Sequence, residues 1–226
     1  MSPNIIVAID GYAGCGKSTT ARRLAQHLGY TYLDTGAMYR AVTLYFLDHD
    51  VNLDDAEAVR EALSDIQIRF GEATPEGKRD TYLNGRNVEE DIRGLRVSSH
   101  VSPVSAVPAV RRFLVAQQQQ IGRDRGVVAE GRDIGTHVFP DAELKVFMTA
   151  GMPARVARRQ IEMQKKGQAV TAEALEENLR ERDRIDTGRE DSPLRRAHDA
   201  RELDTTALTI EQQVDQIAGW VLAVGG

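Results

Sequence analysis

The sequence predicts an α/β fold, a five-stranded parallel sheet flanked by helices and carrying a small inserted module, and three observations predict it. Short apolar runs alternate with helix-forming stretches along most of the chain, the order expected of a parallel sheet covered by its own crossover helices. The first apolar run leads directly into GYAGCGKS, residues 11–18, and then into a helical stretch. Between residues 64 and 93 the alternation lapses, and IQIRF and TYLNGRNV read as extended segments with a tight Asn84-Gly85 turn in the second.

The elements follow in order. Residues 5–9 are short enough for a buried strand, and residues 17–28 form a helix stopped by Gly29. Residues 31–33 supply a second strand. A helix follows to about Leu47, with Met38, Val42, Tyr45 and Phe46 on its packed face. Asp54 reads as the N-cap of a third helix ending near Leu63. The alternating IQIRF, a polar loop over residues 71–77 and the Asn-Gly hairpin come next, and helix resumes from about Val107 to Ile121. GVVAEG and ELKVFMT are buried strands, with arginine-rich helices over residues 154–166 and 172–185. LDTT at residues 203–206 gives the fifth strand and residues 210–224 a closing amphipathic helix. In such a sheet ligands gather at the carboxyl ends of the strands, so the residues after Ile9, Leu33 and Glu130 are expected to converge.

At 226 residues and 41% hydrophobic, the chain can bury a full core, and one domain over residues 1–226 with an insertion is expected. A net charge of -5 argues against broad attachment to nucleic acid or anionic membrane. The single cysteine, Cys15, cannot form an internal disulfide and reads as a packing residue. No basic segment precedes a long apolar one, so a cytoplasmic protein is expected. It is expected to act as a monomer, because the core uses its apolar stripes, and to need no nucleic-acid or membrane partner.

The spacing G-x-x-x-x-G-K-S is that of a phosphate-binding loop. Its glycines let the backbone curl so that successive N–H groups face an anion, and the following helix adds its positive end. Lys17 would reach the β- and γ-phosphates, and the Ser18 hydroxyl would complete a Mg²⁺ site. The candidate ATP-binding set is Gly11, Gly14, Cys15, Gly16, Lys17, Ser18 and Thr19. Switches, motors, helicases and small-molecule kinases share this loop, so it names a donor and leaves the acceptor open.

Three further clusters bear on the acceptor. DTGAMYR places Asp34, Thr35 and Arg40 after the second strand, and EGRDIG places Arg132 and Asp133 at the end of GVVAEG. In RERDRIDTGR, Arg182, Asp186 and Arg189 are spaced by four and three and would share one helical face if the helix persists. A phosphate loop plus three arginine-carboxylate sets suits two anions brought together, because the arginine fork can hold phosphate through two bonds. A phosphate acceptor has a second pKa of about 6 and is already nucleophilic near neutrality, so its enzyme needs no general base. A kinase for another small acceptor, UMP or a hydroxyl metabolite, stays open at this point, as does a nucleotide-dependent switch. The switch is disfavoured because no Asn-Lys-x-Asp stretch occurs.

IDGYAGCGKST, LDTGAMYRA, AEGRDIGTHVFPDAELKVFM and RERDRIDTGREDSPL together resemble the bacterial cytidylate kinases, in the right order and over essentially the whole chain. The resemblance implies a P-loop nucleoside monophosphate kinase that transfers phosphate from ATP to CMP or dCMP. It also implies an acceptor-binding module, fitted by residues 64–93, and a helical lid, fitted by residues 153–170. Residue by residue it implies Ser102, Arg111 and Asp133 at the cytosine, and Asp186 with Arg182 at the ribose. Arg40, Arg132 and Arg189 would hold the acceptor phosphate, with Thr35 and Tyr39 lining the site. Arg155, Arg158 and Arg159 match the basic lid helix, and with Lys17, Arg132 and Arg189 they make the catalytic set. Tyr12 and His137 stand where the family often has proline and valine, departures expected to bear on local packing.

Overall fold

The computed structural model describes residues 3–165 and 167–224 and divides into two compact units. One comprises the described residues of 1–32 and 125–226, the other residues 33–124. No helix among the described residues is long and apolar enough to cross a membrane.

The first unit is built on β1 (Ile6–Gly11), α1 (Lys17–Leu28) and β2 (Thr31–Asp34), whose last two residues begin the second unit. The second unit continues with α2 (Thr35–Asp48), α3 (Ala56–Ser64), β3 (Ile68–Ala73), β4 (Arg79–Leu83), β5 (Arg86–Asn87), α4 (Leu95–Ala106) and α5 (Pro108–Ile121). The chain then returns to the first unit through β6 (Val127–Gly131), one π-helical turn (Ile134–Val138), β7 (Leu144–Thr149), α6 (Met152–Lys165), α7 (Ala172–Gly188), β8 (Arg201–Asp204) and α8 (Ile210–Val224). The strands order as β2-β6-β1-β7-β8, with β1 parallel to β6 and β7, and β7 parallel to β8. This is the expected five-stranded α/β sheet.

Its main core is aliphatic. Val7 and Ile9 of β1, Val128 of β6, Val146 and Met148 of β7 and Leu203 of β8 pack with Ala21 and Leu24 of α1 and with Val214, Ile217 and Val221 of α8. Cys15 is wholly buried in this cluster, as its reading as a packing residue requires. β1 outruns the predicted residues 5–9 because Gly11, at φ 147, stays in the ladder opposite Met148. A Cβ there would lie 2.1 Å from the Met148 carbonyl oxygen, so only glycine lets the strand run into the loop.

In the second unit β3, β4 and β5 form a three-stranded antiparallel sheet. The Asn84-Gly85 turn joins β4 to β5 with both residues at positive φ, 50 and 82, as a type I′ turn requires. Residues 71–73 belong to β3 rather than to the expected loop, which narrows to a turn closed by Thr74 and Lys78. The cap of α3 is Asp55 in place of Asp54: its Oδ1 accepts from the Glu57 and Ala58 amides, while the Asp54 amide donates to Asn52.

The sequence reading, in which helix resumes only near Val107, missed α4, which carries Pro103 in its interior. The proline costs one i→i−4 bond, but Val97, Val101 and Val104, spaced by four and three, are buried and hold the helix in place. It also missed the π-helical turn. The fifth strand lies two residues earlier than expected and ends at Asp204; Thr205 follows with its amide on the Thr149 carbonyl and its hydroxyl on the Cys15 and Thr149 carbonyls. Helix α7 runs to Gly188, beyond the predicted residue 185, and Arg189 follows it in extended conformation, so Arg189 does not share the helical face of Arg182 and Asp186. Lys166, the last residue predicted for the first arginine-rich helix, lies outside the described residues.

Candidate active site

The first unit holds the phosphate loop. Gly14 and Gly16 take φ 78 and 93, turning the backbone between β1 and α1. No side chain caps α1 and its first turn has no acidic residue, so nothing in the helix competes with an anion for its N-terminal amides. Lys17 is buried and its Nζ donates to the Tyr12 carbonyl at 2.8 Å, curled over the loop. Burial, aided by the charge of Arg132, lowers the Lys17 ammonium to about 8.

Ser18 Oγ donates to Glu130 Oε1 at 2.6 Å, and Tyr32 donates to the same oxygen at 3.3 Å. A hydroxyl and a carboxylate beside the loop are hard oxygen donors of the kind Mg²⁺ takes. Among the described residues no group of three or more His, Cys, Asp or Glu side chains could hold a metal alone. The residues therefore fit a cation that draws its other ligands from phosphate and water, as Mg²⁺ commonly does.

β6 is the immediate neighbour of β1, with Asp10 opposite Gly131, so EGRDIG begins beside the loop. Arg132 Nε donates to Asp186 Oδ2 at 2.7 Å, which fixes the guanidinium. Burial alone would raise the Asp186 carboxyl, but the charges of Arg132, Arg189 and Arg182 outweigh it and hold the group below the ordinary range. Burial likewise opposes the Arg132 charge, and Asp186 more than restores it. The structure thus gathers Arg132, Arg182, Asp186 and Arg189 around one carboxylate, although Arg189 arrives from beyond the helix. Asp133 is buried next to Arg132 at the start of the π-helical turn.

The three arginines of α6 differ. Arg155 forms a two-bond pair with Asp183 at 2.7 and 2.8 Å, donates to the Ala13 carbonyl at 2.6 Å, and lies over the Tyr12 ring. Arg158 donates to the Cys15 carbonyl at 3.2 Å and to the hydroxyl and carbonyl of Thr205. Arg159 pairs with Glu162 at 2.6 Å. Arg155 and Arg158 therefore brace the loop backbone. Tyr12, expected to matter only for packing, takes part on both sides: its carbonyl holds Lys17 and its ring lies against Arg155 and Phe147.

The second unit assembles its own set. Arg40 Nη1 donates to Ser98 Oγ at 2.9 Å and to the Ile92 carbonyl at 3.3 Å, joining α2 to the start of α4. Arg111 of α5 is 1% exposed, lies 5.8 Å from the Tyr39 ring centroid and donates to the Ser105 carbonyl. Ser105 is one turn beyond Ser102 and donates to its carbonyl at 2.9 Å. Thr35, Tyr39, Ser102 and Arg111 are all buried. Asp34 caps α2 through the Ala37 amide and pairs with Arg93 at 2.8 Å, while Arg93 also pairs with Glu89 at 3.1 Å. Glu89 accepts in turn from the amide and hydroxyl of Thr81 in β4. Burial would raise the Asp34 carboxyl, but the Arg93 charge and hydrogen bond hold it below the ordinary range.

Sequence reasoning missed Asp10, Glu130, Asp183 and Arg93 as site-forming residues. For Asp10 and Glu130 a signal existed, since each is a carboxylate closing an otherwise apolar strand run, where burial demands a partner.

Residues 7–222 match the family model for cytidylate kinase. The chain is 55% identical to a cytidylate kinase of Cytophaga hutchinsonii over 98% of this chain and 94% of that protein. It is 52% identical to one of Bacteroides thetaiotaomicron over 95% of each. A solved structure of an uncharacterized protein from Eubacterium ventriosum aligns with a TM-score of 0.52 over 97% of this chain and 99% of that one, at 11% identity, which is a likeness of fold alone. With its phosphate loop, its EGRDIG turn and its match over nearly the whole chain, the protein belongs to the cytidylate kinase family.

Proposed function

We propose that the protein transfers the γ-phosphoryl group of ATP to CMP or dCMP, giving ADP and CDP or dCDP. The observation that supports this best is the placement of Arg132, held by Asp186, and of Asp133 just past the end of the strand next to β1, which leads into the phosphate loop. Both anions of a phosphate-to-phosphate transfer then have cationic partners within one unit. Gly11, Gly14, Cys15, Gly16, Ser18 and Thr19 cradle the ATP phosphates, and Lys17 gives up its Tyr12 carbonyl bond to neutralise the γ-phosphate. Ser18, with Glu130 behind it, would hold Mg²⁺, which when bound shields the β- and γ-phosphate charge.

Arg40, Arg132 and Arg189 bind the acceptor phosphate, Arg182 and Asp186 the ribose, and Ser102, Arg111 and Asp133 the cytosine, with Thr35 and Tyr39 beside them. The acceptor is already a dianion near neutrality, so these residues align and neutralise while none removes a proton. Residues 64–93 serve the acceptor and residues 153–170 close over ATP, with Arg155, Arg158 and Arg159 supplying charge there. For Arg155 and Arg158 this means exchanging loop carbonyls and Asp183 for phosphate. The working species in this reading is a cytoplasmic monomer that uses no nucleic-acid or membrane partner.

Lys17→Ala tests the donor assignment. Phosphoryl transfer should fall by three orders of magnitude or so, because a charge aimed at the transferring group is lost, while CMP affinity by calorimetry stays near the wild-type value. Wild-type turnover in this variant would contradict the assignment.

A further inference from the structure

We propose that Asp10 is a positioning residue for the acceptor nucleotide: from the end of β1 it fixes the backbone turn that presents Arg132 and Asp133. The proposal rests on the reading of Arg132 and Asp133 as acceptor-binding residues. Asp10 is 4% exposed, and both its oxygens are engaged by main-chain donors across the sheet. Oδ1 accepts from the Ile134 amide at 2.7 Å and Oδ2 from the Gly135 amide at 2.8 Å.

Those two amides open the π-helical turn. Its N-terminal flanking residue is Asp133, a residue type that ordinarily caps such a turn with its own carboxylate. Here the Asp133 side chain makes no cap bond, and the cap comes from the neighbouring strand. Asp10 thereby supplies the cap of this turn. The register explains the reach. Asp10 lies opposite Gly131 of the neighbouring strand, so a two-oxygen side chain there meets the backbone three and four residues beyond Gly131. A carboxylate withdrawn from water is costly unless hydrogen-bonded, and an apolar residue at this position would leave the Ile134 and Gly135 amides without their acceptor. What Asp10 alone supplies is a fixed position for the turn.

The test is steady-state kinetics of Asp10→Asn on CMP and UMP. Asparagine keeps the size but turns an NH₂ toward one of the two amides, donor against donor. The expected result is a roughly tenfold rise in the KM for CMP and a comparable narrowing of the CMP-to-UMP ratio in kcat/KM, with the KM for ATP within about twofold of wild type. Gly135→Ala provides a second approach that leaves the carboxylate in place. Its added Cβ would lie 3.1 Å from the Lys145 stem and 3.4 Å from Asp10 Oδ2, displacing the same turn, and it should show the same signature. If Asp10→Asn does not fold, Gly135→Ala decides.

Equal falls in kcat for both acceptors, with an unchanged KM for CMP and an unchanged ratio, would mean that Asp10 only supports the fold and would overturn the proposal. Asp133→Asn, measured in parallel, tests the reading beneath it. If Asp133→Asn leaves the ratio unmoved, Asp133 does not read the base, and Asp10 is then judged on the KM for CMP through Arg132. If Asp133→Asn narrows the ratio while Asp10→Asn and Gly135→Ala keep wild-type values, the positioning role alone is overturned.

Discussion

Lys17 shows how a single residue is prepared for its ligand. It is buried on the Tyr12 carbonyl and its ammonium is lowered to about 8, so it begins to lose this charge just above neutrality. Phosphate favours the charged form. Binding ATP must therefore draw in a proton above that pH, and affinity should be flat below about pH 8 and fall by up to about tenfold per pH unit above it. Calorimetry from pH 6.5 to 9.5 checks this, and Lys17→Met should remove the slope. In the proposed reading, Asp133 selects the base at the same scale. A carboxylate can accept from the cytosine amino group but faces the uracil carbonyl as acceptor against acceptor. Asp133→Asn should lower CMP activity and narrow the CMP-to-UMP ratio by roughly tenfold to a hundredfold, the worth of one base-edge contact. The residues at the site were legible where a motif fixed them. Lys17, Ser18, Arg132 and Asp133 follow from local spacing, whereas Asp10 and Asp183 have partners more than a hundred and about thirty residues away, and no local pattern pairs them.

Among the elements, helix α2 is held at its start by a chain of charges. Glu89 is fixed by Thr81 of β4, Arg93 bridges Glu89 to Asp34, and Asp34 caps the helix that bears Thr35, Tyr39 and Arg40. Asp34→Asn keeps the cap to Ala37 but loses the ion pair. It should cost about 1–3 kcal/mol at pH 7, less than the ~3–5 of a fully buried pair, because the Arg93 side chain is 33% exposed. The Asp34 carboxyl is held below its ordinary value of 3.8, so its contribution is present above that pH and is lost as pH falls through the folded value. Urea denaturation at pH 7 and pH 3 should show a gap between wild type and variant that is smaller at pH 3 than at pH 7; a gap equal at both would contradict the ion pair. Residues 64–93 contain most of this chain of charges, so excising them would leave Asp34 without Arg93. The elements themselves were legible where periodicity was clean, as in α1 and α8, which match residues 17–28 and 210–224. Helix α4 was not, because serines and Pro103 masked a valine stripe that tertiary packing stabilises, and the π-helical turn has no local signature.

For the whole molecule, the proposal is that the phosphate loop and the arginine-carboxylate sets serve one reaction with a cytosine nucleotide as acceptor. The donor side follows from a motif, whereas the side chains proposed to choose the acceptor come from distant parts of the sequence. That choice is what a direct measurement should address. The purified protein, given saturating ATP and Mg²⁺, would be followed by coupled ADP release and product chromatography with CMP, dCMP and UMP in turn, beside Lys17→Ala as control. The account predicts CDP and dCDP as products, a kcat/KM for CMP about tenfold to a hundredfold above that for UMP, and no transfer above background in the control. UMP used as well as CMP, or ADP released with no diphosphate formed from any of the three, would contradict it.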